Sequence, residues 1–412
     1  MKRLLLFCSL LCMSAISTFA QLTYPAAYNL AGGSYSFTQW NSTSPAGTYP
    51  TNMIFHRYAI TDGILSSPES IDYTLGYALA SGIKINGLGA NGIEFVNSSA
   101  TQSVGMAVVA LNTTNRAAVK VSFTAQFTAW NGAAPTLAPF REWALRLQYR
   151  IGAGAWVDVV DGVGQPVEYT TAGKSVGDVQ NFTNVALPSA VDNQALVYVR
   201  VKYYWANSPL GGGSRPQVRF DDLTISSCPS SATPDRLVIS SISPSTPSST
   251  STFNVTVQSQ DASGCSANLN QNTDIALALQ TGTGVLAGTL TGTIPTGQNS
   301  VTISGVRYAT VENGVQIRSS VTSGMALTAG ISSPFNVLQG ATSIVGTNLV
   351  NKVHINKPLR SFTITATRPD LTVDPSYIGT VTVTQVSGPG LISGTLTRAF
   401  SNGDRKSTRL NS

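Results

Sequence analysis

Two stretches of the chain alternate apolar and polar residues with a period of two. In "REWALRLQYRI", Trp143, Leu145, Leu147 and Tyr149 share one face, and Ala144, Arg146, Gln148 and Arg150 share the other. In "LVYVRVKYYW", Val197, Val199, Val201, Tyr203 and Trp205 stand opposite Tyr198, Arg200, Lys202 and Tyr204. This period predicts β-strands with one face in a core. "VKVSFTAQFTAW" reads the same way. "VRFDDLTIS" breaks the rule, because Val218 and Phe220 have one parity and Leu223 and Ile225 the other. If all four point inward, one extra residue must be accommodated, which predicts a β-bulge at Asp221-Asp222. Residues 21–228 therefore read as a two-sheet β-sandwich of the jelly-roll kind.

A repeat follows. "GTGVLAGTLT" from Gly282 and "GPGLISGTLT" from Gly388 agree at six of ten positions. Upstream, "FNVTVQSQD" at Phe253 aligns with "FTITATRPD" at Phe362. A spacing near 100 residues is that of one immunoglobulin-like sandwich rather than a short solenoid repeat. After a linker at 229–234, a first module over 235–338 and a second over 339–403 are expected. The second stops before the strands that close the first. A sandwich lacking those strands would leave its core and edges open, so the natural chain is expected to continue. The final "DRKSTRLNS" resembles the translation of a common short-read sequencing adapter. Residues 404–412 are therefore set apart from the fold.

Composition narrows the class. Charged residues make up 11% of the chain and glycine is abundant, a profile of secreted all-β modules rather than of a disordered tail. The N-terminus "MKRLLLFCSLLCMSAISTFAQ" joins a basic start to a short apolar run and ends in small residues. It reads as a signal peptide cut after Ala20. Cys8 and Cys12 would leave with it. Cys228 and Cys265 then remain, and in an oxidising compartment they could pair or stay free. Of the formal charge of +6, Lys2 and Arg3 carry two and the last nine residues a net two. The small remainder is weak evidence for a nucleic-acid partner. No later apolar run is long enough to cross a bilayer.

The ordered stretches "VSFTAQFTAWNG", "LRLQYRIGAGAWVDV", "ALPSAVDNQALVYVRVKYYW" and "RPQVRFDDLTIS" resemble an N-terminal jelly-roll domain of secreted Bacteroidetes surface proteins. The repeats are similar to bacterial immunoglobulin-like modules. The resemblance implies export and delivery to the cell surface by type IX secretion machinery, through a sorting segment beyond residue 403. It also implies neighbouring modules, in some relatives a nuclease or another hydrolase.

Three sets of residues could bind something. The polar face Tyr198, Arg200, Lys202 and Tyr204, extended by Arg146, Gln148 and Arg150 if their strand lies alongside, offers rings for stacking on sugars and cations for acidic groups. Equally, it could be an ordinary solvated strand face. Asp221 and Asp222 could contribute to a structural calcium site, or satisfy local backbone donors and pair with Arg219. Trp130, Trp143, Trp156 and Trp205 read as core residues rather than sugar platforms. His56 and His354 read as structural. No Gly-x-Ser-x-Gly elbow, zinc-type cluster or phosphate-cradling loop is present, and adjacent aspartates do not make a glycosidase pair.

The expectation is an all-β, non-catalytic, exported fragment that binds an extracellular polysaccharide or cell-surface glycan. The alternatives are accessory modules of a hydrolase and plain structural spacers.

Overall fold

The structure, a computed structural model, describes residues 22–58, 60, 62–78, 84–97, 104–347, 362–384, 397–400 and 404–407. The expected signal peptide, His354, nearly all of the second copy's "GPGLISGTLT" and residues 408–412 lie outside the described residues. The chain divides into two compact units, Met1–Ser230 and Ser231–Ser412. The protein is all-β.

In the first unit the strands run β1 (Tyr28–Asn29), β2 (Tyr35–Phe37), β3 (Met53–Tyr58), β4 (Glu69–Asp72), β5 (Lys84–Gly87), β6 (Ile93–Val96) and β7 (Val104–Asn112). They continue as β8 (Arg116–Asn131), β9 (Trp143–Ile151), β10 (Val157–Asp158), β11 (Glu168–Thr170), β12 (Val179–Ala186), β13 (Val197–Trp205) and β14 (Arg215–Pro229). One sheet has the order β10-β9-β13-β7-β3-β4, with β1 on β7 and β11 on β9. The other has the order β12-β8-β14-β6-β5, with β2 on β14. The long strands β7, β8, β9, β12, β13 and β14 alternate between the sheets, so each connection crosses the sandwich. Between the sheets lies one apolar core. Trp143, Leu145, Leu147, Val197, Val199, Val201 and Tyr203 enter it from the first sheet, and Phe123, Phe127, Val218 and Phe220 from the second.

The bulge in β14 is where the parity break placed it. Asp221 pairs with Thr124 and Thr224 with Ser122, so Asp222 and Leu223 together face Phe123. Asp222 adopts φ +52, a left-handed conformation that aspartate tolerates better than most residues. The extra residue lets Val218, Phe220, Leu223 and Ile225 all reach the core.

The second unit opens with a sandwich of β15 (Arg236–Ser243), β16 (Thr252–Gln260), β17 (Thr273–Thr281), β18 (Leu286–Gly288), β19 (Thr291–Ile294), β20 (Ser300–Tyr308), β21 (Glu312–Ser323), β22 (Gly330–Ile331) and β23 (Phe335–Val337). Its sheets are β15-β16-β20-β18 and β19-β17-β21-β22, with β23 on β21. They enclose Leu237, Phe253, Val255, Ile275, Ile303 and Ile317. Next come β24 (Ser343–Thr347), β25 (Phe362–Thr367), β26 (Thr380–Thr382), β27 (Thr397–Ala399) and β28 (Asp404–Ser407). The tail set apart from the fold thus contributes β28, which pairs antiparallel with β25.

The repeated "F…D" stretches take the same local form. Phe253 and Phe362 are both buried at strand starts. Eight residues on, Asp261 Oδ1 accepts from the Ser263 amide and hydroxyl, and Asp370 Oδ1 accepts from the Thr372 amide and hydroxyl. Such aspartate turns supply the reversal after a strand. Cys228 and Cys265 are both disulfide-bonded.

Gly92 seats the bulge from below. Its φ is +69, and an added Cβ would stand 2.4 Å from the Phe220 carbonyl oxygen and 2.7 Å from Asp221 Oδ1. Gly32 has open space around its Cβ direction and no such φ. Gly92→Ala should therefore cost roughly 2–4 kcal/mol of unfolding free energy, and Gly32→Ala far less, as read by urea denaturation. Equal midpoints would refute the account.

Candidate functional site

The polar parity of β13 lies where the alternation put it, opposite the core. Its environment differs from the expectation. Tyr198, Arg200, Lys202 and Tyr204 are only 8%, 4%, 2% and 5% exposed, so this is a covered face and not a solvated one. The covering comes from the segment at Leu22–Tyr24, from the loop at 64–68 and from Trp156. A second apolar cluster of Ile54, Tyr58, Met106, Val108, Ala110 and Ala144 packs beneath this cover. Tyr198 and Tyr204 are consequently not free rings on which a sugar could stack, which corrects that part of the expectation.

Strand β9 does lie beside β13. Tyr198 stands across from Arg150, Arg200 from Gln148, and Lys202 from Arg146. The predicted extension of the patch is thus one continuous surface. Covering it forces each charge to find a partner, because burying an unpaired ion is costly. Arg200 forms an ion pair with Glu69 on β4, and its Nε donates to Gln148 Oε1 at 2.8 Å. Glu69 also accepts from Trp156 Nε1 at 2.9 Å and from the Tyr24 hydroxyl at 3.0 Å. Gln148 Nε2 donates to Asp158 at 2.7 Å. Arg146 bridges Asp158 at 2.8 Å and Glu168 at 2.6 Å. The Tyr204 hydroxyl donates to Glu168 as well.

Arg150 is held differently. Its guanidinium lies over three rings, with Tyr24 at 4.2 Å, Tyr198 at 4.5 Å and Trp156 at 4.7 Å. Arg200 lies over the Trp156 ring at 3.9 Å. Such cation–π contacts strengthen as water is removed. Lys202 Nζ donates to the carbonyls of Leu65 at 2.6 Å and Ser67 at 2.7 Å. It thereby pins the loop.

Above this network is a cleft of about 380 Å³. Its lining includes Glu69, Gln148, Arg150, Trp156, Arg200 and Lys202. Beyond the pinned loop is another, of about 490 Å³, bounded by Arg146, Tyr204 and Trp205. Neither Glu69, in an unpatterned "SPESID", nor Tyr24 carries a signal in the residue pattern. Trp156 was read as core. It packs against the outer cluster and also lines the cleft. Trp143 is fully buried in the core, and Trp130 and Trp205 pack against it.

The remaining candidates take local roles. Asp221 is 2% exposed and its Oδ1 accepts from the Asp222 amide. Burial raises its pKa, against that amide bond. Asp222 accepts from the Thr124 hydroxyl. No group of three or more His, Cys, Asp or Glu side chains able to hold a metal occurs among the described residues. A calcium at this pair would lack protein carboxylates beyond the two. His56 is buried, and its Nε2 donates to the Thr23 carbonyl at 2.9 Å beside Asp72. Burial lowers its pKa.

No family model matches this chain, and no curated protein does. Among solved structures, a glycoside hydrolase domain, Endo-D, from Streptococcus pneumoniae R6 aligns at 11% identity with a TM-score of 0.19. The alignment covers 69% of this chain and 43% of that one. No helix among the described residues is long and apolar enough to cross a membrane.

The pKa shifts carry two consequences. Burial alone would raise the pKa of Glu69, but Arg200, the Trp156 bond, His56 and the Tyr24 bond outweigh it and hold it below its ordinary value. Its stabilising contribution is thus present above the unfolded carboxyl pKa and fades as pH falls through the folded one. Glu69→Gln should cost about 3–5 kcal/mol, because Arg200 is left buried without a counter-charge. A loss under 1 kcal/mol in urea titrations would contradict this.

Burial, followed by repulsion from Arg200, lowers Lys202 to about 8. Between that value and the unfolded pKa near 10.5, the unfolded chain binds the extra proton. Stability attributable to this group therefore rises with pH over that window, by about 2 kcal/mol between pH 8 and 10. Lys202→Met should remove the rise. Parallel stability profiles for the two proteins would count against it.

Proposed function

We propose that this chain is the exported, non-catalytic part of a modular surface protein, and that its first unit binds an acidic extracellular polysaccharide at the cleft over β9 and β13. One observation carries the reading. Arg150 is fixed among three aromatic faces and, with Trp156, Arg200 and Lys202, lines an open cleft.

Trp156 supplies a partly exposed ring beside these cations. A sugar ring can stack on the indole while a carboxylate or sulfate approaches the guanidinium. The cleft's acid, Glu69, is already engaged by Arg200, so Arg150 and Lys202 leave the cleft with a positive surplus. Asp158 and Glu168 are likewise taken up by Arg146. Each of these nearby carboxylates has a cationic partner within the fold, which supports the non-catalytic reading.

Export rests on the basic and apolar leader, and surface display by type IX secretion on the family resemblance. The immunoglobulin-like sandwich of the second unit would then serve as a spacer.

The test is affinity electrophoresis of the full chain in alginate, hyaluronan and dextran sulfate. Retardation is expected in at least one and should weaken with added salt. Trp156→Ala and Arg150→Gln should each reduce affinity about ten-fold. Circular dichroism melts would confirm that both variants fold. Unchanged retardation in both folded variants, or none in any acidic polymer, would overturn the assignment.

A further inference from the structure

A different cleft in the same unit has a different chemistry. It measures about 500 Å³ and is formed by β1, β2 and the residues after them together with the turn that leads into β3. Roughly 300–1,000 Å³ is the usual size of a small-ligand site. Tyr28, Ser36, Thr38, Gln39, Trp40 and Asn52 line it, and among the described residues no carboxylate, lysine or arginine does.

Its walls are set before any ligand arrives. The Trp40 ring stands edge-on to Tyr77 at 5.4 Å and to Phe55 at 6.4 Å. Its backbone exchanges two hydrogen bonds with Gly89, at 3.0 and 2.8 Å. Tyr28 stands edge-on to Tyr35 at 5.4 Å, and its hydroxyl donates to the Ser34 carbonyl. Asn52 Nδ2 donates to the Ala26 carbonyl at 2.8 Å. Ser36, Thr38 and Gln39, by contrast, are exposed. Among the described residues their side chains have no hydrogen-bond partner, so their donors and acceptors are available.

We infer that this cleft is a second binding site, for a neutral sugar unit. Two half-buried rings with hydroxyl and amide groups between them suit a ligand with an apolar ring face and hydroxyls that both donate and accept. The lack of a charged wall favours an uncharged sugar. An ionic ligand would lose hydration without gaining a counter-charge. The inference shares neither residues nor ligand class with the acidic site above.

The test is isothermal titration of the full chain with cellohexaose, laminarihexaose, maltohexaose and mannohexaose. At least one should bind with Kd below about 1 mM. Tyr28→Ala should weaken that binding about ten-fold, and Gln39→Ala, at an exposed position that packing does not need, about five-fold. Trp156→Ala should leave it unchanged. Retention in acidic polymers should be unaffected by Tyr28→Ala and Gln39→Ala, so either site can fail without the other. Absence of binding to all four hexaoses would overturn the inference. So would binding that neither Tyr28→Ala nor Gln39→Ala weakens, or that Trp156→Ala abolishes.

Discussion

The first unit depends on the ion pair between Arg200 and Glu69. Arg200 is in the middle of β13, and Glu69 begins β4 at the far edge of the same sheet, with β7 and β3 between them. Both side chains are almost wholly shielded from water. In the interior, such a pair repays its desolvation only when the remaining donors and acceptors are also satisfied. Gln148, Trp156 and Tyr24 satisfy them here. The pair is therefore less a free source of stability than a condition on its neighbours. Tyr24 must be docked, Trp156 must turn its N–H inward, and Gln148 must stay locked to Asp158.

That condition explains how the cleft comes to be shaped. Once Trp156 and Tyr24 are committed to Glu69, both their rings lie against Arg150. The guanidinium is positioned by flat faces rather than by a carboxylate. Lys202, two residues along β13 from Arg200, meets backbone carbonyls and so ties the loop at 64–68 to the strand. The side chains that line the cleft are thus the ones that hold the sheet's cover in place. Mutations of the deepest members will therefore disturb the fold before they report on a ligand, and the rim residues are the cleaner probes.

Much of the architecture was legible in the residue pattern. Alternation separated Val197, Val199 and Val201 from Tyr198, Arg200 and Lys202. The parity break in "VRFDDLTIS" located the bulge, because only a bulge lets four apolar residues of mixed parity share a core. Alternation is silent, however, on what lies over the second face. A strand with tyrosines, arginine and lysine on one side looks the same whether water or a folded-back segment covers it. Apart from Trp156, the cover comes from residues about 130 to 180 positions away along the chain, in segments without period. Glu69 and Tyr24 were invisible for that reason. Trp156 packs as a core residue would, but against an outer cluster that the two-sheet picture does not contain.

The second unit has a buried ion pair of its own, Arg368 with Asp374, but three of its other acidic groups are placed differently. Asp261 and Asp370 close turns on the amides and hydroxyls two residues on. Glu312 accepts from the Tyr308 hydroxyl and from the Thr283 amide. These carboxylates shape backbone locally and would do so in any copy of the module, so a repeated sandwich can be extended without altering a site. The first unit instead gathers charged and aromatic groups from distant strands onto one face. A face assembled in that way changes with any strand that contributes to it. The local turns suit a unit that only has to be repeated.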